Sequence, residues 1–316
     1  MTVALRRLLY YVFLFIKGLC IGATGVLQGI SGASMALLLG VHQEFVLSLS
    51  AFGRKTLRLI SGKKIYLAWK KMNGNFLVAI LAGMTTGLIV LRAIFSYYVS
   101  QYPIFISSFF FSLVIIAALL LLRKITRWNL GIFLCLLAGL LLSYFLTRSA
   151  PIATPDNLLF AFIAGFLAGS TFIIPGVSGS FILMFFGKYQ YILTSFGSLE
   201  FDAIILFIAG GILGITVIAR FMARLLSNYF NQTVALFAGL MIGSLNKIWP
   251  WREVVEYATT IEGKRIPAFD NSILPWHYLE ITGKDPQVFH AILMMALGVF
   301  MVVLIEKVAA RLKTKS

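Results

Sequence analysis

The sequence predicts an all-α polytopic membrane protein built from two inverted repeats, each a Gly/Ser-broken helical hairpin followed by three transmembrane helices. Three observations carry that fold class. The 316 residues are 60% hydrophobic and only 12% charged, which is outside the range of soluble domains and makes lipid the default solvent. One stretch of the chain recurs without a gap. The positive charges fall in short clusters between apolar runs, a pattern that sets topology rather than one that binds nucleic acid.

The first repeat covers 1–150, with a hairpin over 8–51 and helices over 76–98, 104–122 and 129–147. The second covers 151–316, with a hairpin over 157–197, helices over 203–223, 231–248 and 289–306, and an extracytoplasmic loop over 250–288. Each run approaches the ~20 residues that cross a ~30 Å hydrocarbon core. Helices are expected because backbone in lipid must satisfy itself, and the runs lack the alternation of barrel strands. Arg6 and Arg7 ahead of the first apolar run look like the start of a signal peptide. Lys17 interrupts that run and no small-x-small cleavage site follows, so the segment is kept as part of the first hairpin. Cys20 and Cys135 lie inside apolar runs, where small buried hydrophobes are expected rather than a disulfide.

Residues 18–50 align with 165–197 at a constant offset of 147, pairing Gly18/Gly165, Gly22/Gly169, Thr24/Thr171, Gly29/Gly176, Ser31/Ser178, Gly32/Gly179, Gly40/Gly187 and Gln43/Gln190. A weaker match sets 82–91 against 209–218. Lys and Arg in short loops stay on the cytoplasmic side. This assigns to the cytoplasm Arg6 and Arg7, the basic stretch from Arg54 to Lys71, the Arg123–Arg127 loop, Arg220 with Arg224, and the tail from Lys307. The other side receives 98–103, Asp156, Glu200 with Asp202, and the 250–288 loop. The first hairpin then opens to the cytoplasm and the second outward. Inverted repeats of this kind mark transporters. Parity leaves open whether each hairpin is re-entrant or made of two full spans.

The hairpin turns carry the candidate chemistry. The first is Gln28-Gly29-Ile30-Ser31-Gly32-Ala33-Ser34 and the second is Pro175-Gly176-Val177-Ser178-Gly179-Ser180. Proline removes an amide donor, glycine favours non-helical backbone, and serine suits the start of the next helix. A helix that restarts presents free amides and the positive end of its dipole, an anion site to which the Ser31, Ser34, Ser178 and Ser180 hydroxyls can add. The small-xxx-small pairs Gly18/Gly22, Gly83/Gly87, Gly165/Gly169, Gly210/Gly214 and Gly239/Gly243 are expected instead to serve close helix packing.

Lys17 lies about 15 Å deeper than the Arg6/Arg7 pair on a helix of ~1.5 Å rise per residue, so it is either a buried functional cation or a snorkelling one. Glu44 is the main acidic candidate for coupling to a proton or cation, and pairing with a nearby base is the plainer alternative. Arg54, Lys188 and Arg220, near helix ends, are expected to anchor at the interface, with Arg54 and Arg220 also candidates for gating. No cofactor is expected, and the three histidines have no metal-ligand spacing. Trp249, Trp251 and Trp276 beside Pro250, Pro267 and Pro275 fit a loop at the outer headgroup layer.

The doubled PGVSGS-like turn, followed in the second copy by Gly187-Lys188-Tyr189, resembles the polyprenyl-phosphate transporter family over residues 15–306. The resemblance implies movement of undecaprenyl phosphate, a lipid carrier of cell-wall sugars, across the bacterial cytoplasmic (inner) membrane. It places the phosphate site at Lys17, Gly29, Ser31, Gly32, Ser34, Pro175, Gly176, Val177, Ser178, Gly179 and Ser180. The first copy departs from the family turn at Gln28, Ile30, Ala33 and Ser34. The partners implied are the polyprenyl-phosphate lipid, membrane lipids and a coupling proton or cation, with no nucleic acid. A small-anion channel or exchanger would use the same broken helices. A lipid phosphatase would need a nucleophile with acid/base groups in one site, and no such signature is present in the sequence.

Overall fold

The computed structural model describes residues 3–25, 30–152, 154–259 and 265–313. The first hairpin is α1 (Val3–Thr24), α2 (Gly32–Leu38) and α3 (His42–Ser50). The basic stretch after it folds as two short helices, α4 (Arg54–Ser61) and α5 (Ile65–Lys71). Then come α6 (Gly74–Gln101), α7 (Pro103–Leu122) and α8 (Leu130–Arg148). Proline opens α7, where a missing amide costs no intrahelical bond. The Asn129 side chain caps α8 by accepting from Ile132 N at 2.9 Å.

The second half repeats the plan with α9 (Leu158–Ser170), α10 (Gly179–Phe185), α11 (Tyr189–Gly197), α12 (Phe201–Asn228) and α13 (Phe230–Ile248). Asn157 caps α9 as Asn129 caps α8, accepting from Phe160 N at 3.0 Å. Between α13 and the last helix lie β1 (Arg252–Thr259), β2 (Arg265–Ser272) and α14 (Pro275–Thr282), followed by α15 (Val288–Lys313).

Two expectations need correction. The apolar runs 33–51 and 180–197 are not single helices, since each is cut in two. The α2 and α3 axes differ by 119°, and the breaks fall at Gly40 (φ +71°) and Gly187 (φ +63°), an aligned pair in the left-handed region that glycine tolerates best. The 250–288 stretch is not all loop: β1 and β2 pair antiparallel, Arg252 opposite Ser272. Among the described residues five helices, α1, α6, α7, α8 and α12, are long and apolar enough to cross a membrane, and the bent α2–α3 pair would make a sixth.

Glycine sets the helix pairing. A Cβ on Gly22 would lie 2.0 Å from the Met84 carbonyl oxygen, and one on Gly83 would lie 2.2 Å from that of Phe15. In the second half a Cβ on Gly165 would meet Phe207 O at 2.0 Å, and one on Gly214 would meet Phe166 O at 2.1 Å. The contacts advance in the same order on both partners, so α1 runs parallel to α6 and α9 parallel to α12. Gly139, Gly239 and Gly243 bring α8 and α13 together in the same parallel sense. These glycines are packing surfaces, as expected for small-xxx-small spacing. The long helices α7 and α13 line the core, where their Phe110, Val114, Phe237 and Met241 belong to the main cluster.

Candidate functional site

The two hairpin turns, 142 residues apart in sequence, touch. Gly176 N donates to the Ser34 hydroxyl at 2.9 Å, and the Ser31 hydroxyl donates to Ile174 O at 3.4 Å. Ser31, Ser34 and Ser178 are buried, and the Ser178 and Ser180 hydroxyls lie 2.9 Å apart. Gly176 is held at φ +83°, and a Cβ there would come within 2.6 Å of the Leu240 carbonyl carbon, so the second turn lies directly on the α13 backbone. Pro175 is buried beside it and Val177 is half-buried. Gly29 and Gln28 fall outside the described residues.

Each turn uses the same local devices. Thr24 and Thr171, an aligned pair, donate to the carbonyls of Ile21 and Ala168, both at 2.7 Å. Their hydroxyls face the first residue of the next helix: a Cβ on Gly32 would lie 3.7 Å from Thr24 Oγ1, and one on Gly179 would lie 3.0 Å from Thr171 Oγ1. Met35 N reaches Ser31 O at 3.2 Å and Ile182 N reaches Ser178 O at 3.0 Å. The amides of 32–34 and 179–181 therefore precede the helical ladder in both copies. Two helix starts on the turns that meet here, with hydroxyls beside them, offer donors of the kind that suit an anion.

The remaining candidates are distributed around this seam. Lys17 does not stand among the serines. Its ammonium donates to Leu39 O at 2.9 Å, at the far end of α2, and so holds the α2–α3 corner against α1. Glu44 accepts from the Asn73 side-chain amide at 2.7 Å and lines an open recess with Gln43 and Lys71. Arg54 is exposed at the start of α4. Arg220 donates to the Phe52 carbonyl and packs over Gly53, linking α12 to the corner between α3 and α4.

Lys188, expected near a helix end at the interface, has its stem buried and its charge paired. It is 1% exposed, its ammonium takes the Thr154 and Pro155 carbonyls and the Asp156 carboxylate, and Phe160 and Tyr191 cover it. Its stem runs through apolar surroundings while the charge reaches a polar rim.

His42 belongs to the seam, a place that its lack of metal-ligand spacing does not reveal in the sequence. It is buried, with Nε2 2.9 Å from Ile173 O and the ring edge-on to Phe237. A carbonyl only accepts, so Nε2 carries the proton. Its place next to the aligned Gly40 break was the available signal.

Parallel helix pairs around two broken hairpins that meet in the core define a polytopic α-helical membrane protein. The undecaprenyl phosphate translocase-like family matches residues 21–266, and the chain belongs to that family, which is one of transporters and not of enzymes. A polyprenyl-phosphate transporter of Vibrio cholerae serotype O1 is 29% identical over 301 residues, 95% of this chain and 98% of its own. One of Staphylococcus aureus is 28% identical over 255 residues, 74% of this chain and 85% of its own. No solved structure matches.

Proposed function

We propose that this chain translocates undecaprenyl or a related polyprenyl phosphate across the bacterial cytoplasmic membrane, returning the carrier lipid for reuse. The observation that carries the proposal is the meeting of the two broken hairpins, with the Ser34 hydroxyl against the Gly176 amide, in a chain of this family. The phosphate binds at the helix starts of Ser31–Ser34 and Ser178–Ser180, where amides, hydroxyls and dipole ends favour an anion. Displacing the Ser34–Gly176 contact frees donors for it. Lys17 positions α2 rather than meeting the phosphate, and the polyprenyl tail stays in lipid.

The two halves are inverted repeats in this proposal, and rocking of one against the other alternates access. Three helices, α6, α7 and α8, separate the hairpins, each joined to the next by a short link, so α9 enters from the side opposite α1. The second hairpin is re-entrant: at ~1.5 Å per residue the 13-residue α9 spans only about 20 Å of a ~30 Å core. The basic α4–α5 end faces the cytoplasm together with both termini.

The test is uptake of labelled polyprenyl phosphate into proteoliposomes, beside its uncharged alcohol. Wild type is expected to move the phosphate and not the alcohol, and Ser178→Ala with Gly179→Ala is expected to abolish movement in folded protein. Equal handling of phosphate and alcohol, or anion conductance independent of lipid, would overturn the proposal.

A further inference from the structure

At the end of the bundle away from α4 and α5, a second charged cluster joins the β-hairpin to the broken helices. Lys247, in the last turn of α13, has a side chain only 9% exposed. Its ammonium lies 2.5 Å from Asp270 Oδ1 and 5.7 Å from the centre of the Phe181 ring in α10. One cation thus touches both β2 and the inner helix of the second hairpin.

Arg252 closes on the same carboxylate with a two-pronged grip, Nε to Oδ2 at 2.6 Å and Nη2 to Oδ1 at 2.5 Å, while Nη1 donates to Asn246 O at 2.6 Å. Two cations share one monoanion, leaving the cluster with an excess positive charge. A guanidinium fork plus an ammonium is the donor set that suits a phosphate monoester, which carries more charge and more acceptor oxygens than a carboxylate. Beside the cluster an apolar recess lined by Phe111, Leu245, Trp249 and Ile273 has room for the first part of a prenyl chain. The β-hairpin is tied down at its base, where Ser272 Oγ donates to Asn246 O at 2.9 Å and Trp249 Nε1 to Ile273 O at 2.7 Å.

We propose that Lys247 and Arg252 form a receiving site for the phosphate monoester of the lipid at this end of the transporter, and that Asp270 occupies it as an internal stand-in until phosphate displaces it. The β1–β2 hairpin is then a lid whose release is coupled to substrate arrival. This inference rests on the transport proposal above and deepens it by naming where the head group first docks, ahead of the serine turns.

The experiment uses the full chain in lipid nanodiscs, with a short-chain prenyl monophosphate, its alcohol and inorganic phosphate as probes. Asp270→Asn is expected to tighten binding of the prenyl monophosphate several-fold and Lys247→Gln to weaken it, with the alcohol unaffected by either. In wild-type protein, which needs no variant to fold, the prenyl monophosphate is expected to speed amide hydrogen exchange across β1 and β2 as Asp270 lets go. Exchange that is unchanged or slowed overturns the lid, as does a loss of binding in Asp270→Asn equal to that in Lys247→Gln. Inorganic phosphate acting as strongly as the prenyl monophosphate overturns the assignment to the lipid. Absence of any preference for phosphate over alcohol in wild type overturns the transport proposal as well, whereas a preference that neither variant alters overturns the receiving site alone.

Discussion

Ser34 is the residue on which the seam between the two hairpins depends most directly. Its hydroxyl is the partner of the buried Gly176 amide, and a buried donor left without an acceptor costs about 1–3 kcal/mol. Ser34→Ala is therefore expected to lower the thermal unfolding midpoint in detergent, where a surface serine changed the same way, such as Ser61, leaves it in place. Asp270 gives a second test at this scale. Burial alone would raise its carboxyl, but the hydrogen bonds and charges of Arg252 and Lys247 outweigh that and hold it below the usual carboxylate value. A group whose folded pKa is depressed stabilises the fold above its unfolded pKa of about 4 and loses that contribution as pH falls through the folded value. The gap in unfolding midpoint between wild type and Asp270→Asn is expected to be widest near neutral pH and to close below about pH 4. A gap that stays constant with pH would show that the ion pairs do not stabilise the β-hairpin.

Among the elements, the glycine-lined helix pairs were legible in the sequence because their spacing recurs in both halves, and the structure puts backbone against backbone at each. Gly22→Ala sets a methyl 2.0 Å from the Met84 carbonyl oxygen, and forcing such overpacking costs about 1–3 kcal/mol. The expected result is a lowered midpoint with the same helical content by circular dichroism. Gly40→Ala works differently, since a Cβ there meets nothing within 4 Å and only the positive φ resists it. About 1–2 kcal/mol is expected, recovered in part by Gly40→Asn, and an Ala variant as stable as wild type would mean that the α2–α3 corner is not fixed by that glycine. This corner was not legible, because a single glycine inside an apolar run reads as a tolerated helix interior. The β-hairpin was hidden for a related reason: Arg252–Thr259 lacks clean alternation and Pro267 stands inside β2, where an edge strand admits a residue that cannot donate. Lys17 was legible as a deep cation, but its carbonyl partner at Leu39 depends on how far α2 folds back, which no local pattern records.

For the whole molecule, the direction of the two hairpins follows from how many helices separate them. Tyr102 links α6 to α7, residues 123–129 link α7 to α8, and 149–157 link α8 to α9. With α1 parallel to α6 and α9 parallel to α12, a reversal at each of these three links sets the two hairpins in opposite senses in the arrangement proposed above, with the basic residues of α4–α5 at the cytoplasmic end. Lys63 follows the first hairpin and Ser198 the second, and both are exposed. In a chain with Cys20 and Cys135 replaced by alanine, a membrane-impermeant maleimide is expected to modify Ser198→Cys in intact cells. Lys63→Cys should react only after the membrane is opened. Labelling of both from one side would place the hairpins in the same sense, and a rocking exchange between two inverted halves would then have no structural basis.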